Sequence, residues 1–418
     1  MRNGTAYVIG AGLSGLAASV ALAKQGARVV LVEGAGQAGG RCRSYLDPVL
    51  DQVIDNGNHL ILSGNHATFA YLRTIGSADR LAGPERARFP FVDVRSGARW
   101  IVAPNDGAVP WWVFSTGRRV PDTSIREYLS IAQLLAASSS KRIDEVIACR
   151  GNLWDWLLRP LLLAALNTEP ETASASLAAA VLRETLLKGG RAYRPRIAAP
   201  HLGSTFIDPA LDHLKQKGAD VRFGSRLRHI EVADRRATIL DVAGGPIALG
   251  ENDRVVLATP AWVATGLLPD VQAPTEFRSI VNVHFAITPP AGAPLMLGIV
   301  GGTAEWAFAF PDRISITVSG ADAIVDRDRE DLAKTLWRDV AAAHALGAEL
   351  PPWQIVKERR ATFAATPEQA RRRAKAETRW ANLFLAGDWT DTGLPATIEG
   401  AVRSGNRAAE LALRSLAR

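Results

Sequence analysis

The sequence is poor in cysteine and has no long apolar run. Only Cys42 and Cys149 occur among its 418 residues, which argues against a disulfide framework, a metal-ligand cluster and a CxxC redox pair. No stretch of 18 apolar residues is present, so no transmembrane helix is predicted. The first residues run directly into a predicted strand, which leaves no room for a cleaved signal peptide. These features predict a protein of the reducing cytoplasm.

The composition indicates a basic protein with enough apolar residues for two cores. The net charge is +7 and 47% of the residues are hydrophobic, which favours two domains over one. The excess positive charge could attract anionic lipid, nucleic acid or an acidic substrate. Because zinc-ligand spacing and RNA-binding aromatic motifs are lacking, no nucleic-acid partner is predicted. The 11 tryptophans favour an apolar pocket or a membrane interface.

A glycine motif near the N-terminus predicts a nucleotide-binding unit. The apolar stretch 6–9 is followed at once by glycines in GxGxxG spacing, then by a helical pattern and the apolar stretch 28–32. In such a unit the helix N-terminus and the glycine backbone accommodate a pyrophosphate. Glu33 ends the second strand, where a carboxylate accepts hydrogen bonds from ribose hydroxyls. The candidate phosphate-binding residues are Gly10, Gly12, Leu13, Ser14 and Gly15.

Further motifs occur in order along the chain. Gly39-Gly40-Arg41 follows Glu33, and Gly387-Asp388 follows the apolar stretch 383–386. With the first motif, they resemble the three signatures of the flavin-containing amine oxidase and phytoene desaturase superfamily. The resemblance implies an α/β fold in which a Rossmann-type FAD-binding domain is combined with a discontinuous α+β substrate-binding domain. The predicted FAD-binding domain comprises 1–85, 200–265 and 376–418, and the substrate-binding domain comprises 86–199 and 266–375.

The same resemblance implies positions for the parts of FAD. The segment Gly39-Gly40-Arg41 would lie along the pyrophosphate, and Leu227 would meet the adenine. Gly387 and Asp388 would contact the ribityl or pyrophosphate side. The last predicted helix would direct its positive N-terminal dipole at the pyrimidine edge of the flavin. The remaining candidate contacts are Gly57, Asn58 and His59 beside the isoalloxazine ring, and Thr397, Ile398 and Glu399 at the start of the last helix.

Four segments resemble one group within the superfamily, the squalene-associated hydroxysqualene dehydroxylases. These segments are 55–60, 166–168, 280–285 and 386–401, although Asn58 stands where a glutamine is expected in that group. The resemblance implies an FAD-dependent enzyme that reductively removes the hydroxyl of hydroxysqualene and gives squalene. The alternatives are a phytoene-type desaturase, an amine oxidase, or a flavin-binding protein without turnover. Amine oxidases of the superfamily hold a lysine near flavin N5, and Asn282 occupies that register here.

The resemblance also bears on the cofactor linkage and the electron donor. The covalent amine oxidases attach their flavin through a cysteine near the C-terminus, whereas this chain has no cysteine after Cys149. Non-covalent FAD is therefore expected. No second nucleotide motif is present, so a reductase partner, a quinone and NADPH all stay open as the electron donor.

Three residues are the candidates for catalysis. Asn282 and His284 are two positions apart on a predicted strand, so their side chains should share one face, which in the family register looks toward flavin N5. His59 should approach from the neighbouring segment. Loss of an allylic hydroxyl requires a proton donor. We expect His284 or His59 to be this acid and Asn282 to orient the hydroxyl.

One helical segment raises the question of membrane contact. The stretch 153–166 is apolar on nearly all sides and contains Pro160, which should kink or divide it. Such a helix is either deeply buried or in contact with lipid. With a lipid substrate, the second possibility predicts a peripheral protein at the inner face of a membrane.

Overall fold

The structure is a computed structural model that describes residues 4–415. The outer limits of the predicted FAD-binding domain, residues 1–3 and 416–418, lie outside this range. The strands in chain order are β1 Thr5–Ile9, β2 Arg28–Val32, β3 Ser44–Asp47, β4 Gln52–Asp55, β5 Ile61–Leu62, β6 Leu81–Ala82, β7 Phe89–Asp93, β8 Arg99–Val102, β9 Pro195–Ala198, β10 Asp220–Arg222, β11 Leu227–Ala233, β12 Arg236–Val242, β13 Gly245–Ala248, β14 Arg254–Leu257, β15 Phe277–Phe285, β16 Met296–Val300, β17 Trp306–Ala309, β18 Ile314–Val318, β19 Trp353–Phe363 and β20 Leu383–Leu385.

Helices of three kinds connect these strands. The α-helices are α1 Leu13–Lys24, α2 His66–Ile75, α3 Leu129–Leu135, α4 Arg159–Leu166, α5 Ala175–Glu184, α6 Asp208–Gln216, α7 Ala261–Leu267, α8 Arg329–His344, α9 Pro367–Arg371 and α10 Ile398–Arg414. Short 3-10 helices cover Gly40–Cys42, Trp111–Phe114, Ile125–Tyr128, Pro170–Thr172, Leu186–Lys188, Gly190–Ala192 and Ala321–Ala323. Single π-helical turns cover Trp154–Leu158 and Gly203–Ile207.

A parallel sheet forms the nucleotide-binding half, with strand order β10-β2-β1-β14-β20. Its central strands are buried and almost wholly apolar, because helices cover such a sheet on its faces. Helices α1 and α10 pack against each other beside the sheet. Gly405 makes this contact possible, since a Cβ there would lie 2.2 Å from the Ser14 carbonyl oxygen. The predicted α/β class is confirmed.

A second sheet has strand order β19-β15-β18-β17-β16-β7-β8. Its strands come from 89–102 and 277–363, and all its pairs are antiparallel except β7 with β16. Helix α8 packs on it through a compact apolar cluster. The strands of this sheet all fall within 86–199 and 266–375, whereas β9, just before the predicted boundary at 199–200, pairs with β5 and β6. The boundaries at 85–86, 199–200, 265–266 and 375–376 stay a prediction.

The apolar segment 153–166 lies in the interior. Leu153, Trp154, Leu162 and Leu166 are each at most 4% exposed. Pro160 lies inside a helical run, directly after the π-helical turn Trp154–Leu158, and this local change of hydrogen-bonding pattern accommodates a residue that lacks a backbone N–H. The segment is therefore part of the core and does not form a lipid-facing surface. Within residues 4–415, no helix is both long and apolar enough to cross a membrane.

Candidate flavin and substrate site

A cavity of about 1040 Å³ lies between the two sheets. The carboxyl ends of β1 and β2 open into one end, where parallel α/β sheets bind their ligands. The walls of the other end are mostly apolar and come from α4, α5 and the second sheet. Representative apolar lining residues are Leu157, Leu161, Leu182, Tyr193, Met296, Trp306 and Phe308. This combination suits a nucleotide cofactor beside a large apolar substrate.

The glycines of the first motif have different structural roles. Gly10 has φ +104, and a Cβ there would lie 2.7 Å from the Ala258 carbonyl oxygen. A Cβ on Gly15 would lie 1.8 Å from the Gly10 oxygen, so this glycine permits helix and strand to meet. A Cβ on Gly12 would meet no protein atom within 4 Å, and Gly12, Leu13 and Ser14 line the cavity. The open space above Gly12, at the start of α1, fits a pyrophosphate.

Glu33 is fixed at the tip of β2. Its Oε2 accepts a hydrogen bond from the Ala11 N–H at 2.7 Å, and its Oε1 accepts one from the Ala35 N–H at 2.8 Å. The Ser225 N–H donates to the Glu33 backbone oxygen at 2.8 Å, which brings the start of β11 and Leu227 to the same end of the cavity. A carboxylate oxygen has further lone pairs for ribose hydroxyls. This end therefore fits an adenosine group.

The second and third motifs meet at the cavity wall. Arg41 forms a 2.7 Å ion pair with Asp388 and also donates to the Ala361 carbonyl oxygen of β19. Gly39 adopts φ +108, and its N–H donates to the Ala11 oxygen at 2.8 Å. The motifs that are separated along the sequence are thus assembled around one site, and Gly39, Gly40, Arg41, Gly387 and Asp388 all line the cavity.

A cluster of amides lies where the two sheets face each other. The Thr317 hydroxyl donates to Asn282 Oδ1 at 2.8 Å, and Asn58 Nδ2 donates to Thr317 Oγ1 at 3.1 Å. Gly57 packs closely beside them, and a Cβ added there would lie 3.1 Å from Asn282 Nδ2, a contact that would push the Asn282 amide aside. Among the described residues, Asn58 Oδ1 has no hydrogen-bond partner although it is buried. Asn58, Asn282 and Thr317 all line the cavity, so the cluster places polar side chains at a wall that is otherwise largely apolar.

The two candidate histidines are in different situations. His59 lines the cavity, and burial, followed by the nearby Arg41 charge, lowers its pKa to about 4. His284 is fully buried and is not on the cavity wall. Its Nε2 donates to the Asp55 carbonyl oxygen at 3.0 Å, so its Nδ1 accepts from the Ser315 hydroxyl at 2.8 Å. His284 lies on the expected face, but both of its nitrogens are used by the fold.

The start of α10 lies at the same cavity. Thr397 caps the helix by accepting from the Gly400 N–H at 3.1 Å, and Thr397, Ile398 and Glu399 line the wall. The Glu399 carboxylate is already used, since it accepts from the Ala67 and Thr68 N–H groups at the first turn of α2. Glu399 thus joins two helices, while the helix N-terminus supplies the positive dipole end.

Several lining residues were not anticipated from the sequence. Glu358, Arg360 and Thr362 reach the cavity from β19, and Asn167 reaches it from the end of α4. Asn167 has φ +48, donates to Thr362 Oγ1 at 2.9 Å and accepts from the Gly320 N–H at 2.7 Å. The sequence signal for Asn167 was the short polar segment after the apolar stretch 153–166, which includes part of 166–168, one of the four segments noted for their resemblance. No comparable signal marks the charged residues of β19.

Glu305 is a further unanticipated group close to this wall. Its Oε2 accepts from the Ser319 N–H at 2.8 Å, and Ser319 and the adjacent Trp306 line the cavity. Burial raises the pKa of the Glu305 carboxyl to about 8, against the opposing effect of the Ser319 N–H. Glu305 is therefore mostly protonated at neutral pH. No group of three or more His, Cys, Asp or Glu within residues 4–415 is arranged to hold a metal ion.

Comparison with known proteins agrees with this geometry. The family model described as flavin containing amine oxidoreductase matches residues 13–413. A protein named hydroxysqualene dehydroxylase from Rhodopseudomonas palustris is 53% identical over 98% of both chains. One of the same name from Zymomonas mobilis is 46% identical, covering 97% of this chain and 98% of its own. A 15-cis-phytoene desaturase from Synechococcus elongatus is 22% identical, with 96% and 94% covered.

A solved structure extends the comparison to the fold. Cyclohexylamine oxidase from Brevibacterium oxydans superposes with a TM-score of 0.75 over 99% of both chains at 15% identity. That likeness concerns the fold alone. The match to the family model over nearly the whole chain accounts for the flavin motifs and for their assembly around one cavity. The chain belongs to the family of flavin-containing amine oxidoreductases, in the group that includes proteins named hydroxysqualene dehydroxylase.

Proposed function

We propose that this chain is an FAD-dependent oxidoreductase that reductively removes the hydroxyl of hydroxysqualene and gives squalene. The observation that carries the proposal is a single cavity in which a nucleotide-binding end continues into a large apolar chamber. A C30 isoprenoid needs such a chamber. The relatives named hydroxysqualene dehydroxylase support the same substrate. Amine oxidation is disfavoured because position 282, where the amine oxidases of the superfamily hold a lysine, is asparagine in this chain.

The proposed reaction consumes one hydride and one proton. The C–O bond of the substrate breaks, the hydroxyl leaves as water with the added proton, and a C–H bond forms at the same carbon. When bound, reduced FAD supplies the hydride. The apolar walls exclude competing water from the allylic cation that loss of the hydroxyl leaves.

The chain's own residues orient the substrate and supply the proton. Asn282 is held by Thr317 at 2.8 Å, so its amide is fixed to orient the substrate hydroxyl. His59 is the candidate proton donor, because it lines the cavity. His284 has no nitrogen free for the substrate, so the proposal does not assign it the acid role.

FAD, bound without a covalent link, is part of the proposal. The position of Glu33 and Leu227 at one end of the cavity favours a cofactor with an adenosine group. Cys42 lines the cavity, but burial raises its pKa to about 12, so it is a thiol rather than a nucleophilic thiolate at neutral pH. Acid precipitation should release all yellow colour into the supernatant, and chromatography should identify it as FAD. Colour retained in the pellet would contradict non-covalent binding.

The proposal includes peripheral contact with the cytoplasmic face of a membrane, because the substrate partitions into lipid. It leaves open whether a reductase, a quinone or NADPH donates the electrons. The decisive experiment compares directions of electron flow. Reduced enzyme mixed anaerobically with hydroxysqualene should become oxidised and yield squalene. Oxidised enzyme mixed with phytoene or with amines should stay oxidised. Reduction of the flavin by phytoene, without oxidation by hydroxysqualene, would identify a desaturase instead.

A further inference from the structure

Exposed apolar side chains are concentrated near one end of the cavity. Trp111 is 66% exposed, Phe114 59% and Leu129 63%. Single exposed apolar residues are ordinary, but a contiguous group of large ones marks an interaction surface. We use the name apolar rim for the group formed by Val109, Trp111, Phe114, Ile125, Leu129 and Leu187.

The elements that carry the rim are packed together. The 3-10 helix Trp111–Phe114 contacts the 3-10 helix Ile125–Tyr128, which leads into α3, and α3 packs on α5. Leu187 lies in the 3-10 helix Leu186–Lys188, which follows α5 and packs against it. The rings of Trp111 and Phe114 lie 6.0 Å apart. The rim is therefore one surface, although its residues come from 109–129 and 187.

The rim is continuous with the cavity wall. Trp112 lines the cavity and is 3% exposed, whereas its neighbour Trp111 faces outward. The same change occurs between Leu186, which lines the cavity, and the exposed Leu187. Two adjoining segments thus carry apolar surface from the interior of the cavity to the exterior.

The loop that presents Trp111 is held in shape. Asn105 Nδ2 donates to the Gly107 oxygen at 3.0 Å and to the Val109 oxygen at 2.8 Å, while its Oδ1 accepts from the Trp112 N–H at 3.2 Å. Exposure of the tryptophan is therefore fixed by specific hydrogen bonds. A fixed display of tryptophan and phenylalanine is typical of side chains that enter a membrane interface.

The charges around the rim favour an anionic bilayer. Segments 105–136 and 183–194 contain seven arginine and lysine residues against four acidic ones. Basic residues beside apolar anchors add attraction to anionic lipid headgroups. We propose that the apolar rim docks on an anionic lipid bilayer, from which the lipid substrate enters the cavity. The entry of substrate rests on the proposed activity on hydroxysqualene, whereas the docking of this surface can be measured without that activity.

Vesicle flotation of the holoenzyme tests the docking. Vesicles of phosphatidylcholine with phosphatidylglycerol should carry the wild-type protein, and the double variant Trp111→Ser with Phe114→Ser should bind at least tenfold more weakly. The variant Leu129→Ser should lower binding in the same direction. The matched control is Leu46→Ser with Val53→Ser, an exposed cross-strand pair on the β3–β4 hairpin, which should bind as the wild type does. Equal binding of all variants would overturn the proposal.

Two further measurements separate the other outcomes. Sedimentation velocity without vesicles detects self-association. If the wild type is a dimer that does not bind vesicles, and the double variant Trp111→Ser with Phe114→Ser is a monomer, the rim is a dimer interface and the lipid assignment is overturned. Turnover is then compared for hydroxysqualene in vesicles and in detergent. The turnover rate of the double variant Trp111→Ser with Phe114→Ser should fall at least tenfold when the substrate is in vesicles and should be unchanged in detergent. If no form turns over hydroxysqualene while the rim still controls vesicle binding, the proposed function fails and the docking surface is supported.

Discussion

Arg41 and Asp388 form a 2.7 Å ion pair across 347 residues of sequence. The Arg41 side chain is 40% exposed, and the Asp388 side chain is 9% exposed. Both residues line the cavity, and each belongs to one of the conspicuous glycine-containing motifs. The pair therefore holds two segments of the proposed flavin site in a fixed position relative to each other.

Asp388→Asn should weaken FAD binding while the fold persists. The change preserves the shape of the side chain but removes the charge that holds Arg41, and a hydrogen bond to a charged group contributes about 1.5–3 kcal/mol. The dissociation constant of FAD should rise roughly tenfold or more. Titration of apoprotein with FAD measures it. Asp144→Asn, at the exposed pair with Arg142, is the control, and an unchanged affinity in Asp388→Asn would contradict the assigned role.

Two glycine variants should separate cofactor binding from folding. Gly12→Val places its side chain in the open space of the cavity, so the apoprotein should unfold near the wild-type temperature but bind no FAD. Gly15→Ala forces a Cβ against the Gly10 oxygen, so it should lower the unfolding temperature itself. Thermal unfolding and flavin content together test both. Normal FAD content in Gly12→Val would place the pyrophosphate elsewhere.

The sequence was most informative where local patterns coincide with tertiary structure. The stretch predicted as the second strand, 28–32, is β2 residue for residue, and Gly26 follows α1 with φ +76. By contrast, the long edge strand β19 was not predicted. Its four consecutive charged residues, Lys357 to Arg360, interrupt the alternation by which strands are recognised. An edge strand tolerates these charges because one side is free of a partner strand.

The candidate site shows a similar limit. The period of two along β15 correctly put Asn282 and His284 on one face. The sequence did not reveal that the Asp55 carbonyl would cover His284 while Asn282 stayed at the cavity. Which backbone group covers a given side chain depends on the packing of distant segments. Periodicity along one strand contains no information about that packing.

His284→Leu should destabilise the fold. The substitution leaves the buried Asp55 carbonyl and the Ser315 hydroxyl without their imidazole partner, and each unpaired buried group costs about 1–3 kcal/mol. Denaturant unfolding should show a loss of roughly 2–5 kcal/mol. His59→Gln, at the cavity wall, is the comparison and should lose much less. A fully stable His284→Leu protein would show that these two hydrogen bonds contribute little.

Glu305 should make stability depend on pH. Its pKa is raised to about 8 in the folded protein, so the folded state binds a proton that the unfolded state releases near pH 4.5. Stability should therefore fall as pH rises from 4.5 to 8. Between pH 5 and pH 8.5, the stability of Glu305→Gln relative to the wild type should rise by roughly 4 kcal/mol. Denaturation at both values measures this, with the exposed Glu349→Gln as control. A difference that does not change with pH would contradict the raised pKa.

The pH dependence of the chemical step should identify the proton donor. With a pKa of about 4, His59 carries its second proton in only about one molecule in 10³ at pH 7. If His59 is the acid, oxidation of the reduced flavin by hydroxysqualene should accelerate roughly tenfold for each unit that pH falls toward 5. His59→Gln should remove this dependence and slow the step roughly 10²-fold, with FAD content unchanged.

Anaerobic stopped-flow absorbance at pH 5.5 to 9 provides the measurement, and the ratio of wild-type to variant rates cancels any titration of the flavin itself. A carboxylic acid with the pKa of Glu305 would produce a different profile, level below pH 8 and falling above it. The proton comes from Glu305 if the rate of flavin oxidation follows this second profile. In that case His59→Gln should leave the profile unaltered, and Glu305→Gln should abolish it. The two profiles diverge most between pH 5.5 and 7, because there the imidazolium population changes steeply while the carboxyl stays protonated.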